Sequence, residues 1–266
     1  MIRLLAIDLD GTLFNSQQQV SPADRRALDS AQQAGITLLL VTGRGRPGLE
    51  IGLNKLGMDL PHICSAGAFI RQGRQGQVLS ARTFQHKEEF QYVLEFVHTY
   101  ELGLVADGLN AYHWFGPDAL FQTLDSPVAD AALQARTFQP ERDFDQPLLK
   151  ATLVAPPALL AQAAPILTRH CPSLHYTLAG QRYMDMTALG VDKGSALALY
   201  AEKMGFSAAE IAAIGDEMID IPMLQLAGIS AAMSNARPEV KAAAGMIAPS
   251  HDEDGVAWFI DQILNR

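Results

Sequence analysis

Two cysteines in 266 residues exclude a disulfide scaffold or a cysteine-rich metal module. Cys64 and Cys171 lie far apart, match no metal-ligand spacing, and are expected to be reduced core thiols. The chain also lacks any Lys- or Arg-rich run. With a formal net charge of −9, that argues against a general nucleic-acid binder. No apolar run approaches the ~20 residues of a membrane span. The apolar start is too short for a signal peptide and is cut by Asp8, so a cytoplasmic protein is expected. Internal repeats and low-complexity segments are absent too. Charged residues supply only 18% of the chain and hydrophobic ones 48%, which suits a globular protein with a substantial core.

The informative residues sit where strand-like runs end. Near the start, Leu4-Leu5-Ala6-Ile7 breaks into Asp8-Leu9-Asp10-Gly11-Thr12. Consecutive apolar residues followed by a turn signal suit a strand buried on both faces, as in a parallel sheet. Asp8 and Asp10 are two apart, so extended geometry places their carboxylates on one side of the chain. Carboxylates crowded at a buried strand end repel unless a cation or a shared proton relieves them. Mg²⁺ suits that place, being a hard ion usually held by carboxylates together with phosphate.

Ser21, Pro22 and Asp24 then open a helix expected to close at Gly35. Residues 36–41 form an apolar strand ending at Thr42-Gly43-Arg44. This strand–helix–strand unit brings Thr42 to the same rim of the sheet as Asp8. A helix over 49–56 leads to Ser65-Ala66-Gly67, and residues 68–70 and 78–83 read as a hairpin.

From residue 84 the pattern changes. Helices are expected over 86–100 and 157–170, the second interrupted or kinked by Pro165. Strands are expected over 103–106, 111–115 and 148–154. A Pro- and Asp-containing stretch reaches 146, and a last hairpin covers 174–178 and 182–186.

The strand–helix alternation returns at Asp192-Lys193-Gly194-Ser195, where a lysine at a helix start opposes the macrodipole unless carboxylates or phosphate pair with it. Ser207 and Glu210 have capping-box spacing. The strand over 211–214 ends in Gly215-Asp216-Glu217-Met218-Ile219-Asp220, whose aspartates can face one rim. The pattern is α/β: a parallel-sheet core from 1–82 and 187–266, with an α+β segment, 83–186, inserted in it.

Asp8-Leu9-Asp10-Gly11-Thr12, then Thr42, then Lys193 in its Asp-Lys-Gly setting, then Gly215-Asp216 with Asp220, follow one another in a recognisable order. The chain resembles the haloacid-dehalogenase (HAD) superfamily of phosphohydrolases over its two flanking segments. Ser65-Ala66-Gly67-Ala68 and Met233-Ser234-Asn235-Ala236 resemble segments of its Cof-like phosphatase branch.

That resemblance implies a Rossmann-like parallel-sheet core with an inserted α+β cap. It implies a Mg²⁺-dependent phosphatase acting on small phosphorylated metabolites, such as sugar phosphates, nucleotides or pyridoxal phosphate, through an aspartyl-phosphate. Asp8 would be the nucleophile and Asp10 the general acid/base. Thr42, Gly43 and Lys193 would bind phosphate. Asp8, the backbone carbonyl of Asp10 and Asp216 would hold the metal, with Asp220 and Asn235 behind them. Ala66 and Ile219 depart from the branch, which carries Asn at both positions.

A response-regulator receiver uses similar residues but is far shorter. A phosphomutase of the same superfamily, or a phospho-ligand-binding protein with weak or no catalysis, would carry the same motifs. Arg44 and Arg46 read equally well as substrate ligands or loop charges, and Tyr112 and Trp114 as core or pocket residues. The seven histidines show no ligand spacing and read as surface or core groups. Neither nucleic acid nor membrane is an expected partner, and the oligomeric state is open.

Overall fold

The protein is described here by a computed structural model over residues 1–124, 136–137 and 147–265. In chain order its first part holds β1 (Leu4–Ile7), α1 (Pro22–Gln33), β2 (Thr37–Val41), α2 (Arg46–Leu56), β3 (His62–Cys64), β4 (Phe69–Arg71) and β5 (Val78–Ala81). There follow α3 (Lys87–Thr99), β6 (Gly103–Gly108), β7 (Tyr112–Phe115), α4 (Asp118–Phe121), β8 (Arg136–Thr137), β9 (Leu148–Val154), α5 (Pro157–His170), β10 (Leu174–Ala179) and β11 (Tyr183–Ala188). The last part holds α6 (Lys193–Met204), β12 (Ile211–Gly215), α7 (Ile221–Leu226), β13 (Ile229–Met233), α8 (Pro238–Ala243), β14 (Met246–Ala248) and α9 (Gly255–Leu264).

Eight strands form one sheet in the order β14-β13-β12-β1-β2-β3-β4-β5, parallel from β14 to β3 and closed by the antiparallel β4 and β5. Strand alternation explains why its central strands read as continuous apolar runs. Leu5, Ile7, Leu38, Leu40, Ala212 and Ile214 point to one side, where they meet Leu28 of α1, Leu53 of α2 and Phe259 of α9. Leu4, Ala6, Leu39, Val41, Ile211 and Ala213 point to the other, against Leu197 and Tyr200 of α6 and Leu224 of α7. With both faces covered, either side would lose about 2–5 kcal/mol on a Leu→Ala truncation. The carboxyl ends of β1, β2 and β12 share one rim.

A second sheet has the order β10-β11-β9-β6-β7-β8. One face packs through Leu104, Ala106, Ala151, Leu153, Met184 and Met186 against α3 and α5. The period of two sends Val105, Asp107, Lys150, Thr152, Tyr183 and Asp185 to the opposite face.

Several elements differ from the sequence reading. The helix expected over 49–56 begins at Arg46, because Pro47 supplies a pre-set first-turn φ and Gly45 takes the extended cap conformation. Pro165 does not interrupt α5. It lies on the exposed face, so water can satisfy the carbonyl that loses its amide partner. β6 extends to Gly108 and β11 to Ala188. Most of the Pro- and Asp-containing stretch up to 146 lies outside the described residues. No helix among those described is long and apolar enough to cross a membrane.

Candidate active site

The site is assembled at the rim where β1, β2 and β12 end. Asp8 follows β1 directly, and its backbone N–H still donates to Ile214 (3.1 Å), so the parallel ladder fixes where its side chain emerges. The carboxylate is 5% exposed. Lys193, at the first position of α6, is 1% exposed and reaches across with Nζ at 2.6 Å from Asp8 Oδ1 and 2.5 Å from Asp220 Oδ1. Its placement at a helix start is thus matched by two carboxylates, as the dipole argument requires.

Asp220 has both oxygens engaged: Oδ2 accepts the backbone N–H groups of Asp216 (3.0 Å) and Glu217 (2.9 Å). Asp216 follows β12, and its Oδ1 accepts a hydrogen bond from the Thr12 hydroxyl at 2.7 Å. Gly11 makes that approach possible. Its φ is +77°, and a Cβ there would fall 2.3 Å from Asp216 Oδ2.

Asp8, Asp216 and Asp220 each present an oxygen within 4.8 Å of the others. Burial pushes the Asp8 carboxyl upward against the pull of Lys193, and Asp220 and Asp10 push the same way. Burial also raises Asp216 well above its ordinary value, with Asp8 and Asp220 adding to it. Burial alone would lower Lys193, but Asp220 and Asp8 outweigh it and hold the ammonium charged. The cluster thus carries more buried negative charge than one lysine offsets, which is the chemistry a divalent cation relieves. The residues fit Mg²⁺. Asp220, spent on Lys193 and two amides, is the least available of the three to ligate it.

Asp10 faces the same cavity and is held by Arg44, whose Nε and Nη2 donate to its two oxygens at 2.7 and 2.6 Å. Arg44 is 6% exposed and also donates to Gln18 Oε1 (2.9 Å) and to the Gly48 carbonyl (3.3 Å). It is therefore built into the site, and the reading of Arg44 as a loop charge is set aside. Arg46 instead donates to Leu109 O and Asn110 Oδ1 and lies over the Phe69 ring, tying α2 to the second sheet's β6–β7 turn.

Thr42 and Gly43 line the cavity at the end of β2, and the Thr42 hydroxyl oxygen accepts the Arg44 N–H at 3.1 Å. Asn235 stands outside it. Its Nδ2 donates to the Gly11 carbonyl (2.9 Å) and its Oδ1 accepts from His251 N, so it braces the loop that carries Asp10. Ala66 is off the main cavity too, in the left-handed region at φ 54°. Ile219 lines the cavity beside Gly43 and is not turned into the core.

Above the aspartates the cavity is closed by the second sheet, so one space of ≈ 330 Å³ is lined by Asp8, Asp10 and Lys193 below and by Asp107, Lys150 and Asp185 above. Gly45 permits this close approach, since a Cβ there would meet Asp107 Oδ2 and the Tyr112 ring at 2.6 Å. Tyr112 is a cavity residue whose hydroxyl accepts the Gly48 N–H (3.1 Å), whereas Trp114 packs edge-on against Phe121. Asp107, Lys150, Thr152 and Asp185 carry no role in the sequence reading. The available signal was polar residues at every second place in otherwise apolar strands, as in Leu148-Leu149-Lys150-Ala151-Thr152-Leu153-Val154.

The profile of the haloacid dehalogenase-like hydrolases matches residues 5–260, nearly the whole chain. The chain belongs to this family. Among its relatives, the pyridoxal phosphate phosphatase YbhA of Escherichia coli is 29% identical over 97% of each chain. The 5-amino-6-(5-phospho-D-ribitylamino)uracil phosphatase YwtE of Bacillus subtilis is 28% identical over 99% of each. A solved haloacid dehalogenase-like hydrolase from B. subtilis superposes with a TM-score of 0.86 at 26% identity, covering 98% of this chain and all of that one. Membership accounts for the parallel sheet and for the four rim motifs coming together as read from the sequence.

Proposed function

We propose that this hydrolase is a Mg²⁺-dependent phosphatase of small phosphorylated metabolites, working through an aspartyl-phosphate on Asp8. The observation that carries the reading is the contact between buried Asp8 and Lys193 at 2.6 Å, at the floor of a cavity also lined by Asp10 and Asp216. The relatives support it, since YbhA is named for pyridoxal phosphate and YwtE for a phosphorylated ribitylaminouracil. A cavity of ≈ 330 Å³ suits a leaving group of that size.

The phosphate monoester would enter with its bridging oxygen toward Asp10. Asp8 attacks phosphorus in line, and the P–O bond to the leaving group breaks as the Asp8–phosphorus bond forms. Asp10, once its two-point contact with Arg44 loosens so that one oxygen can carry a proton, donates that proton to the departing oxygen, then takes one from the water that hydrolyses the acyl phosphate. Lys193 offsets charge on Asp8 and on the phosphoryl oxygens, and the Thr42 hydroxyl and the Gly43 backbone bind the remaining oxygens. Arg44 holds Asp10 in place. A Mg²⁺ ion held by Asp8, Asp216 and the Asp10 carbonyl would neutralise the repulsion between an anionic nucleophile and an anionic substrate. Residues 83–186 act as the cap in this reading, because the face of the second sheet roofs the same cavity.

The test is phosphate release from p-nitrophenyl phosphate with Mg²⁺ and after chelation, for the native chain and for Asp8→Asn. Chelation should abolish turnover reversibly. Asp8→Asn should lower kcat by about a thousandfold or more, because covalent catalysis is lost while the nearly isosteric side chain keeps the fold. More than about a tenth of native turnover in Asp8→Asn would overturn the mechanism.

A further inference from the structure

We propose that Gln18 is a positioning residue for the proton transfer, acting through Arg44 to set where the Asp10 carboxyl stands beside the leaving oxygen. This rests on the phosphatase reading and goes beyond it. Gln17, Gln18 and Gln19 follow one another in the loop after β1. The outer two are exposed, whereas the middle one is half-buried. Its Oε1 accepts from Arg44 Nη2 at 2.9 Å, and the same nitrogen donates to Asp10 Oδ1 at 2.6 Å.

The guanidinium has further anchors. Its Nε donates to Asp10 Oδ2 at 2.7 Å, its Nη1 donates to the Gly48 carbonyl at 3.3 Å, and it lies over the Phe14 ring, 5.5 Å from the centroid. The aromatic face limits tilt of the planar group, and the acceptors in its plane limit rotation. Apart from Asp10 itself, Gln18 at 2.9 Å is a closer acceptor than Gly48 at 3.3 Å, so it is the stronger brake on that rotation. When Asp10 gives up one of its two points of contact to carry a proton, Gln18 and Gly48 keep the guanidinium in place.

The backbone at Gln18 is held in an unfavourable state to achieve this. Its φ is +57°, in the left-handed region that suits glycine and strains a glutamine. The turn enforces that state. Asn15 Oδ1 accepts the N–H groups of Gln17 and Gln19, both at 3.0 Å, and the Gln18 N–H donates to the Asn15 carbonyl at 2.8 Å. Ser16 ties the turn to the end of the chain, donating from its N–H and its hydroxyl to the two Asp252 oxygens at 2.9 and 2.6 Å. A turn with no other task would be better served by glycine at this place. Strain that the surroundings enforce points to a use for the side chain, and this side chain is bonded to Arg44. Gln18 does not line the cavity, so its effect on turnover has to pass through Arg44 and Asp10.

The experiment measures kcat/KM of the Mg²⁺-loaded chain on p-nitrophenyl phosphate and on phenyl phosphate. The two esters are close in size, but phenoxide is the more basic leaving group and depends more on the proton from Asp10. Gln18→Gly removes the acceptor while suiting the φ of the turn, so it should melt close to the native chain. Gln18→Met removes the acceptor while keeping the length. In both, kcat/KM should fall about tenfold on phenyl phosphate and less than about threefold on p-nitrophenyl phosphate. Gln18→Glu keeps an acceptor oxygen, and Arg44 offers its partners separate N–H groups, so the ratio between the esters should stay within about twofold of native.

Equal losses on both esters in variants that melt normally would assign Gln18 to the loop's own fold and overturn the proposal, leaving the phosphatase reading intact. So would a ratio that does not move, or a Gln18→Glu chain as skewed as Gln18→Met. Should Gln18→Met fail to fold, Gln18→Gly decides alone; loss of the fold in both makes the residue structural and overturns the proposal as well. Absence of native turnover on both esters overturns the phosphatase reading and this proposal with it.

Discussion

Arg44 shows how one side chain can be invisible as chemistry until its neighbours are placed. Between Gly43 and Gly45 it reads equally well as a substrate ligand or a loop charge, yet it grips both oxygens of Asp10 from a buried position. A guanidinium makes that planar two-point contact and an ammonium does not. Arg44→Lys should therefore lower kcat about tenfold to a hundredfold, with KM changed much less, because Asp10 is left mispositioned for proton transfer. Steady-state kinetics on one fixed substrate would show it, and equal losses in kcat and in 1/KM would assign Arg44 to substrate binding instead.

Ala66 is the second case. Its φ of 54° lies where an alanine is strained and an asparagine is tolerated. The Asn of the Cof-like branch thus has a backbone reason to stand there, separate from any donor it offers the site. Ala66→Asn should stabilise the fold by about 1 kcal/mol, seen as a rise in Tm of about 2 °C. An unchanged or lower Tm would mean that the added amide is poorly housed beside Lys193.

At the scale of elements, one buried acid ties the start of α1 to the start of α9. Ser21 caps α1 by accepting the Asp24 N–H (3.0 Å), and Asp24 Oδ1 in turn accepts the N–H of Ala257 in the first turn of α9 (2.7 Å). Burial pushes the Asp24 carboxyl up to about 6, with the Ala257 N–H pulling the other way. Because its pKa is higher folded than unfolded, the folded chain binds the extra proton between about pH 4 and 6. Stability contributed by this residue therefore falls as pH rises through that window and is flat above it. Asp24→Asn removes the ionisation. The difference in Tm, variant minus native, should rise from pH 4 to pH 6 and then level off. A difference independent of pH would show that Asp24 does not titrate there.

For the whole molecule, the buried carboxylates of Asp8, Asp216 and Asp220 make the fold itself a reporter of the cation. A ligand bound at a hundred times its Kd adds about 2.7 kcal/mol to stability, which here corresponds to about 5 °C in Tm. Mg²⁺ should raise Tm by that order and chelation should reverse it, in Asp8→Asn less than in the native chain. A Tm indifferent to Mg²⁺ would dissociate the cluster from metal binding without any appeal to activity.

Much of this architecture was legible in the chain. Apolar runs ending in Asp8, Thr42 and Asp216 declare buried parallel strands, because only a sheet covered on both faces tolerates them, and such strands put their carboxyl ends on one rim. Helix limits at Ser21 and Gly35 follow from local backbone preferences that act within a turn. What needed the tertiary structure was everything set by distance between remote segments. Lys193 reaches Asp8 and Asp220 together, and Arg44 turns back to Asp10. Asp107, Lys150 and Asp185 come from three strands of the second sheet to roof the site. Periodicity along a strand shows that these last residues share a face; only packing decides that this face closes over the aspartates and not over solvent.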